Sequence, residues 1–166
     1  MTLRAFPHLA AVAALATMGF AAVPARGADV LPTHRLSAAL ATDIAIDAIA
    51  ACGKMGYAIT AAVVDIDGVH QALIRGDGAG IHTVQAARDK AFTAATYGRA
   101  TSAVGEQYKT NPSAVILKEP YLIPGDGGLP IKIGTELVGA LGVSGSPGKD
   151  EVCGNAALDQ VRARLK

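Results

Sequence analysis

Asp67-Gly68, set between two apolar and partly β-branched runs within residues 57–75, is the feature that most narrows what this chain can become. The pair is the signature of a two-residue type I′ turn, which ties the runs on either side into an antiparallel hairpin. Such a turn also dictates register, so that Ile66 faces Val69 and Asp65 faces His70. Opposite a carboxylate, His70 is expected to favour its charged form and to serve as half of a surface pair. Residues 129–133 and 136–144 read as a second pair of strands, joined through Gly134-Thr135. Hairpins without βαβ crossovers predict an antiparallel sheet.

Helical periodicity surrounds these hairpins. Leu36, Leu40, Ile44, Ala48, Ala51 and Met55 recur at intervals of three or four, and Gly53 and Gly56 close that helix. Residues 83–97 are Ala-rich and helical, with His82 and Thr83 at the N-terminal cap region. Residues 101–118 predict short helical pieces broken at Asn111-Pro112. A closing helix over 150–165 carries Cys153, Ala157, Val161 and Leu165 on one stripe. The order predicts an α+β domain, helices packed on an antiparallel sheet.

Ahead of this domain the chain has the three parts of an export signal. Arg4 supplies the charge, residues 9–23 are an uncharged apolar run, and small residues follow. Val23-Pro24-Ala25 predicts a mature chain starting at Arg26, and Ala25-Arg26-Gly27 one starting at Ala28. A run of about 15 residues falls short of the roughly 20 needed to span a bilayer, so a secretory signal over 1–25 is expected rather than an anchor. Residues 26–166 then form one domain, periplasmic or secreted, with no membrane span after cleavage. Without Arg4 and Arg26, the 15 basic residues fall to 13 against 14 acidic ones. That balance offers no electrostatic basis for binding nucleic acid. Hydrophobic residues make up 51% of the chain but aromatics only 4%, so the core depends on close backbone packing. Surplus apolar surface points to a homo-oligomer larger than a dimer.

Two cysteines, Cys52 and Cys153, end the first helix and begin the last. Antiparallel helices on one face of the sheet would bring them together as a disulfide, which an oxidising compartment permits. The alternative is a pair of buried thiols. Asp65-x-Asp67-Gly68 lacks the remaining ligands of a calcium loop, and the glycine clusters lack the context of a phosphate-binding motif. Ser144-Gly145-Ser146 is not followed by the helix that a nucleophile elbow needs. His82 differs from the other histidines, because it starts a helix just after the open Gly76-Asp77-Gly78-Ala79-Gly80 loop.

Residues 61–68 (AAVVDIDG), 79–93 (AGIHTVQAARDKAFT), 127–131 (GGLPI), 138–148 (VGALGVSGSPG) and 150–153 (DEVC) resemble the GlcG/HbpS haem-binding family, to which the C-terminal domain of PduO is related. The resemblance covers nearly the whole chain after the leader. It implies a profilin-like fold with about five antiparallel strands, oligomerisation and, in several members, haem. The chain has no clear D/E-x-x-E pair of the sort some exported members use for iron. The resulting expectation is an exported haem-binding protein acting as carrier, buffer or sensor accessory, with a small-organic-acid-binding or enzyme-like accessory as the second reading. If haem binds, His82 is the expected axial ligand, since a helix N-terminus disfavours a protonated imidazole. Capping the helix is its alternative role. Arg88, Lys90 and Arg99 are candidates for the propionates, and Tyr108 and Tyr121 for oxygen ligation.

Overall fold

The computed structural model describes residues 30–111 and 119–166, so the predicted signal segment lies outside the described residues. Residues 32–166 form one compact unit. Ser37 accepts a hydrogen bond from the amide of Leu40 and so starts helix α1 (Ala38–Gly53), satisfying one of the amides that a helix start leaves free. Strands β1 (Thr60–Asp65) and β2 (His70–Arg75) follow, then helices α2 (His82–Tyr97) and α3 (Thr101–Thr110). Strands β3 (Gly128–Ile133) and β4 (Glu136–Ser144) and helix α4 (Asp150–Val161) complete the domain. The sheet is antiparallel with order β2-β1-β4-β3, four strands among the described residues where the resemblance implies about five.

Both faces of the sheet are covered, and the strand period of two sorts the residues between them. Ala61 and Val63 of β1 and Leu141 and Val143 of β4 face α1 and α4, where Ile44, Ala48, Ala157 and Val161 complete the larger core. Ala62, Val64 and Ala140 face the other way, onto Ala87, Ala91 and Ala94 of α2. That second core has almost no thickness. A methyl group on Gly142 would stand 2.0 Å from the carbonyl oxygen of Ala87 and 2.6 Å from the amide nitrogen of Ala91, so helix backbone rests directly on strand backbone. The paucity of aromatics in the sequence is the counterpart of this close approach.

Cys52 and Cys153 form a disulfide across the α1–α4 pair, with Cα atoms 5.2 Å apart. The sulfurs are fully buried, beside the hydroxyl of Ser146.

The first hairpin departs from its predicted turn. Thr60↔Arg75 through Val63↔Ala72 keep the register that a two-residue turn requires, but the next pair is Val64↔His70. Gly68 takes a left-handed conformation at φ +77° while Asp67 does not, whereas a type I′ turn needs both central residues left-handed. Asp65 is the cause. Its Oδ1 accepts from the amides of Asp67 and Val69, and its Oδ2 from the side chain of Gln71. These bonds favour a three-residue loop over residues 66–68 with a bulge at Gln71. A one-residue shift moves a side chain to the opposite face of a sheet. His70 therefore stands opposite Val64, on the α2 side, and Asp65 is not its partner.

Candidate functional site

The bulge sets His70 against helix α2. Gln85, Arg88, Asp89 and Phe92 follow one another at helical spacing along the side of α2 away from the alanine core, and with His70 and Tyr121 they line an open groove of ≈ 360 Å³. Tyr121 reaches it from the connection between α3 and β3. That connection is held to α2 where the amide of Ile123 donates to the hydroxyl of Thr93 at 2.9 Å, and it turns through a bond from the amide of Leu122 to the carbonyl of Glu119. Phe92 is 40% exposed and Tyr121 63%, so two aromatic rings are offered to a ligand rather than consumed by the core.

Arg88 Nε donates to His70 Nε2 at 3.2 Å. Partial burial is the main reason that the pKa of His70 is lowered, with the Arg88 charge adding to it and the Asp89 charge opposing it. The carboxylate expected to charge this imidazole is thus replaced by a guanidinium, which adds to burial in disfavouring the charged form. Asp89 is buried and accepts from Gln85 Nε2 at 2.6 Å, which stiffens the floor of the groove.

The other predicted site residues fall in separate places. His82 is exposed at the first turn of α2, on the same stripe as Gln85, Asp89 and Phe92 but outside the groove lining, and its ring folds back over Gly80. Lys90 points through the opposite side of α2. Its ammonium lies 2.7 Å from Asp150 and donates to the carbonyl of Val143 at 3.2 Å, in a pair whose side chains are only 11% and 5% exposed. Arg99 stacks 5.7 Å from the centre of the Tyr97 ring and bonds to Gln107. Tyr108 donates to the Tyr97 hydroxyl at 3.2 Å. The pKa of Tyr97 is pushed up to about 12, first by that bond, then by burial and the neighbouring phenol, against the pull of Arg99, so a phenolate is disfavoured there. Tyr108 also lines a larger groove of ≈ 500 Å³ with Lys109 and Pro124, but that groove contains no imidazole. Of the six residues proposed from sequence, the structure joins Arg88 and Tyr121 in one groove and adds His70 and Phe92. The helical spacing of 85, 88, 89 and 92 was a readable signal for Phe92. Nothing in the spacing alone announced the bulge that delivers His70.

The model of a family described as haem-degrading HbpS-like proteins matches residues 36–159. The chain belongs to this HbpS-like family. The crystal structure of HbpS superposes with a TM-score of 0.75 at 31% identity, covering 84% of this chain and 99% of HbpS. A double mutant of HbpS from Streptomyces reticuli gives 0.75 and 31%, over 86% and 98%. Two more distant structures share the fold. The Klebsiella pneumoniae protein ORFY, assigned to DUF336, has a TM-score of 0.78 at 22% identity over 84% of this chain and 99% of its own. PduOC, solved as a complex with heme, has 0.69 at 21% over 76% and 94%. Comparison with curated proteins finds no match. HbpS-like membership makes the function haem-related and the fold a mixed α+β domain. Among the described residues no helix is long and apolar enough to cross a membrane, and no cluster of His, Cys, Asp and Glu could hold a bare metal ion.

Proposed function

We propose that this HbpS-like protein is exported and holds haem in the α2 groove as a carrier, buffer or sensor accessory. The observation that carries the reading is the placement of an imidazole, His70, beside a guanidinium in a groove that two exposed aromatic rings also line. A histidine-ligated haem needs flat apolar walls, a neutral nitrogen for its iron and cations for its propionates. Phe92 and Tyr121 supply the walls, His70 the nitrogen and Arg88 the cation. Haem, when bound, supplies a redox-active iron. His82, on the same helix stripe, is the second candidate nitrogen. Lys90 is held in its ion pair with Asp150, which leaves Arg88 as the cation at the ring's edge.

Export is supported by the charged, apolar and small-residue segments of residues 1–25 and by the disulfide, a bond typical of oxidising compartments. The groove is open, and Leu73, 38% exposed and paired with the α2-facing Ala62, leaves an apolar rim on that side of β2. A second copy covering that rim accords with a homo-oligomer, which light scattering would measure directly.

Haemin titrated into the protein should give a Soret band that His70→Ala shifts or weakens and that His82→Ala leaves unchanged. If only His82→Ala alters the spectrum, His82 is the ligand. Absence of any haemin-dependent band overturns the reading.

A further inference from the structure

We infer that Arg88 is a carboxylate-operated latch on His70, so that the groove favours a flat conjugated ligand that carries a carboxylate and frees His70 only for such a ligand. This rests on the reading of the groove as the ligand site. The lone pair on His70 Nε2 is the group that the latch controls. A neutral imidazole has one acceptor nitrogen, and here Arg88 Nε occupies it at 3.2 Å. The lone pair that would bind iron, or accept a proton from any other ligand, is thereby consumed while the groove is empty of a carboxylate.

Arg88 is exposed and forms no ion pair among the described residues. Asp89, its neighbour in sequence, is buried and satisfied by Gln85. The guanidinium therefore holds only a neutral acceptor. A carboxylate offers it two parallel bonds in which both partners are charged, in place of a single bond to an uncharged nitrogen. A ligand that lays its ring on Phe92 and Tyr121 with a carboxylate at the Arg88 end draws the guanidinium away from His70. The nitrogen is then released at the moment the ligand arrives. A ring of the same shape without a carboxylate finds the imidazole still engaged. Arg88 is in this sense a positioning residue, and it makes the site selective for planar aromatic or macrocyclic acids over neutral rings.

The test compares haemin with haemin dimethyl ester, which keeps the ring and iron but masks both carboxylates, by absorbance titration of the full chain. Wild-type protein should bind haemin about tenfold or more tightly than the ester, and only haemin should give a band that His70→Ala abolishes. In Arg88→Ala the two ligands should bind within about twofold of each other, and the ester should acquire the His70-dependent band. Retention of the wild-type preference in Arg88→Ala overturns the latch, as does a His70-dependent band from the ester in wild type. A second arm does not depend on haem. Benzoate should move the side-chain ¹⁵N resonance of His70 Nε2 in wild type and leave it in place in Arg88→Ala. An unmoved resonance in wild type overturns the latch. Failure of haemin to bind alongside a normal benzoate response would overturn the haem reading alone.

Discussion

Replacing Gly142 by Ala tests the claim that the α2 side of this domain is built by direct backbone contact. The added carbon would lie 2.0 Å from the carbonyl oxygen of Ala87, about 1.4 Å short of an ordinary 3.4 Å contact, and 2.6 Å from the amide nitrogen of Ala91. Neither obstacle is the free end of a side chain. Helix α2 must retreat as a body, which would open gaps between Ala91 or Ala94 and the small residues Ala62 and Ala140 beneath. Overpacking of this kind costs ~1–3 kcal/mol, and with a whole helix as the obstacle the upper end applies. For a domain of this size, about 3 kcal/mol lowers Tm by roughly 10 °C. Because α2 carries Gln85, Arg88, Asp89 and Phe92, haemin affinity should fall in the same variant. Gly53→Ala is the matched control: nothing lies within 4 Å of its added carbon, it ends a helix, and it should be neutral or slightly stabilising. Thermal unfolding followed by circular dichroism measures both. A Gly142→Ala protein melting within about 1 °C of wild type would show that the helix is not seated on the strand, and the account of the second core would fail.

Asp150→Ala should destabilise the domain by about 3–5 kcal/mol in urea denaturation, because it leaves the buried Lys90 ammonium without its counter-charge and removes the acceptor for the Ser146 amide and hydroxyl. Reducing Cys52–Cys153 releases a loop of 101 residues and should lower stability by up to ~4–5 kcal/mol, seen as an earlier urea midpoint with reductant than without. Folding lowers the pKa of His70, so the unfolded chain takes up that proton first as pH falls. The contribution is present above the ordinary histidine value of about 6.5 and is lost as pH falls from there through the folded value, so the drop in Tm between neutral and mildly acidic buffer should be smaller in His70→Gln.

Most of the scaffold could be read without coordinates. The three-and-four spacing around Leu40, Ile44 and Ala48 is a local signal, and α1 lies where it predicts. The second hairpin turns at Gly134-Thr135, between Ile133 and Glu136 as expected. The Cys52–Cys153 bond followed from helix ends meeting on one face. Family resemblance transferred because long segments matched in order. The site was harder because its decisive residue depends on a competition among hydrogen bonds. Asp-Gly favours a two-residue turn, but the carboxylate of Asp65 satisfies three donors only in the longer loop, and the bulge this creates sends His70 to the other face. Lys90 and Arg88 sit two residues apart and looked equivalent in the sequence. Helical geometry sends one into a buried ion pair and the other into the groove.

The two sides of α2 live under opposite rules. Its inner positions, Ala87, Ala91 and Ala94, are buried against the sheet, with the backbone of Ala87 and Ala91 seated on Gly142. Its outer positions 85, 88 and 92 touch the groove, where Gln85 also satisfies the buried Asp89 and Phe92 packs on Gly68, leaving Arg88 the one least tied to the fold. Ligand preference in this architecture can therefore drift over generations, or be rewritten at the bench, by exchanging outward letters on one helix, most freely at position 88. A library confined to position 88 would vary the groove without meeting the core, whereas one extended to 85 and 92 must keep Asp89 bonded and Gly68 covered.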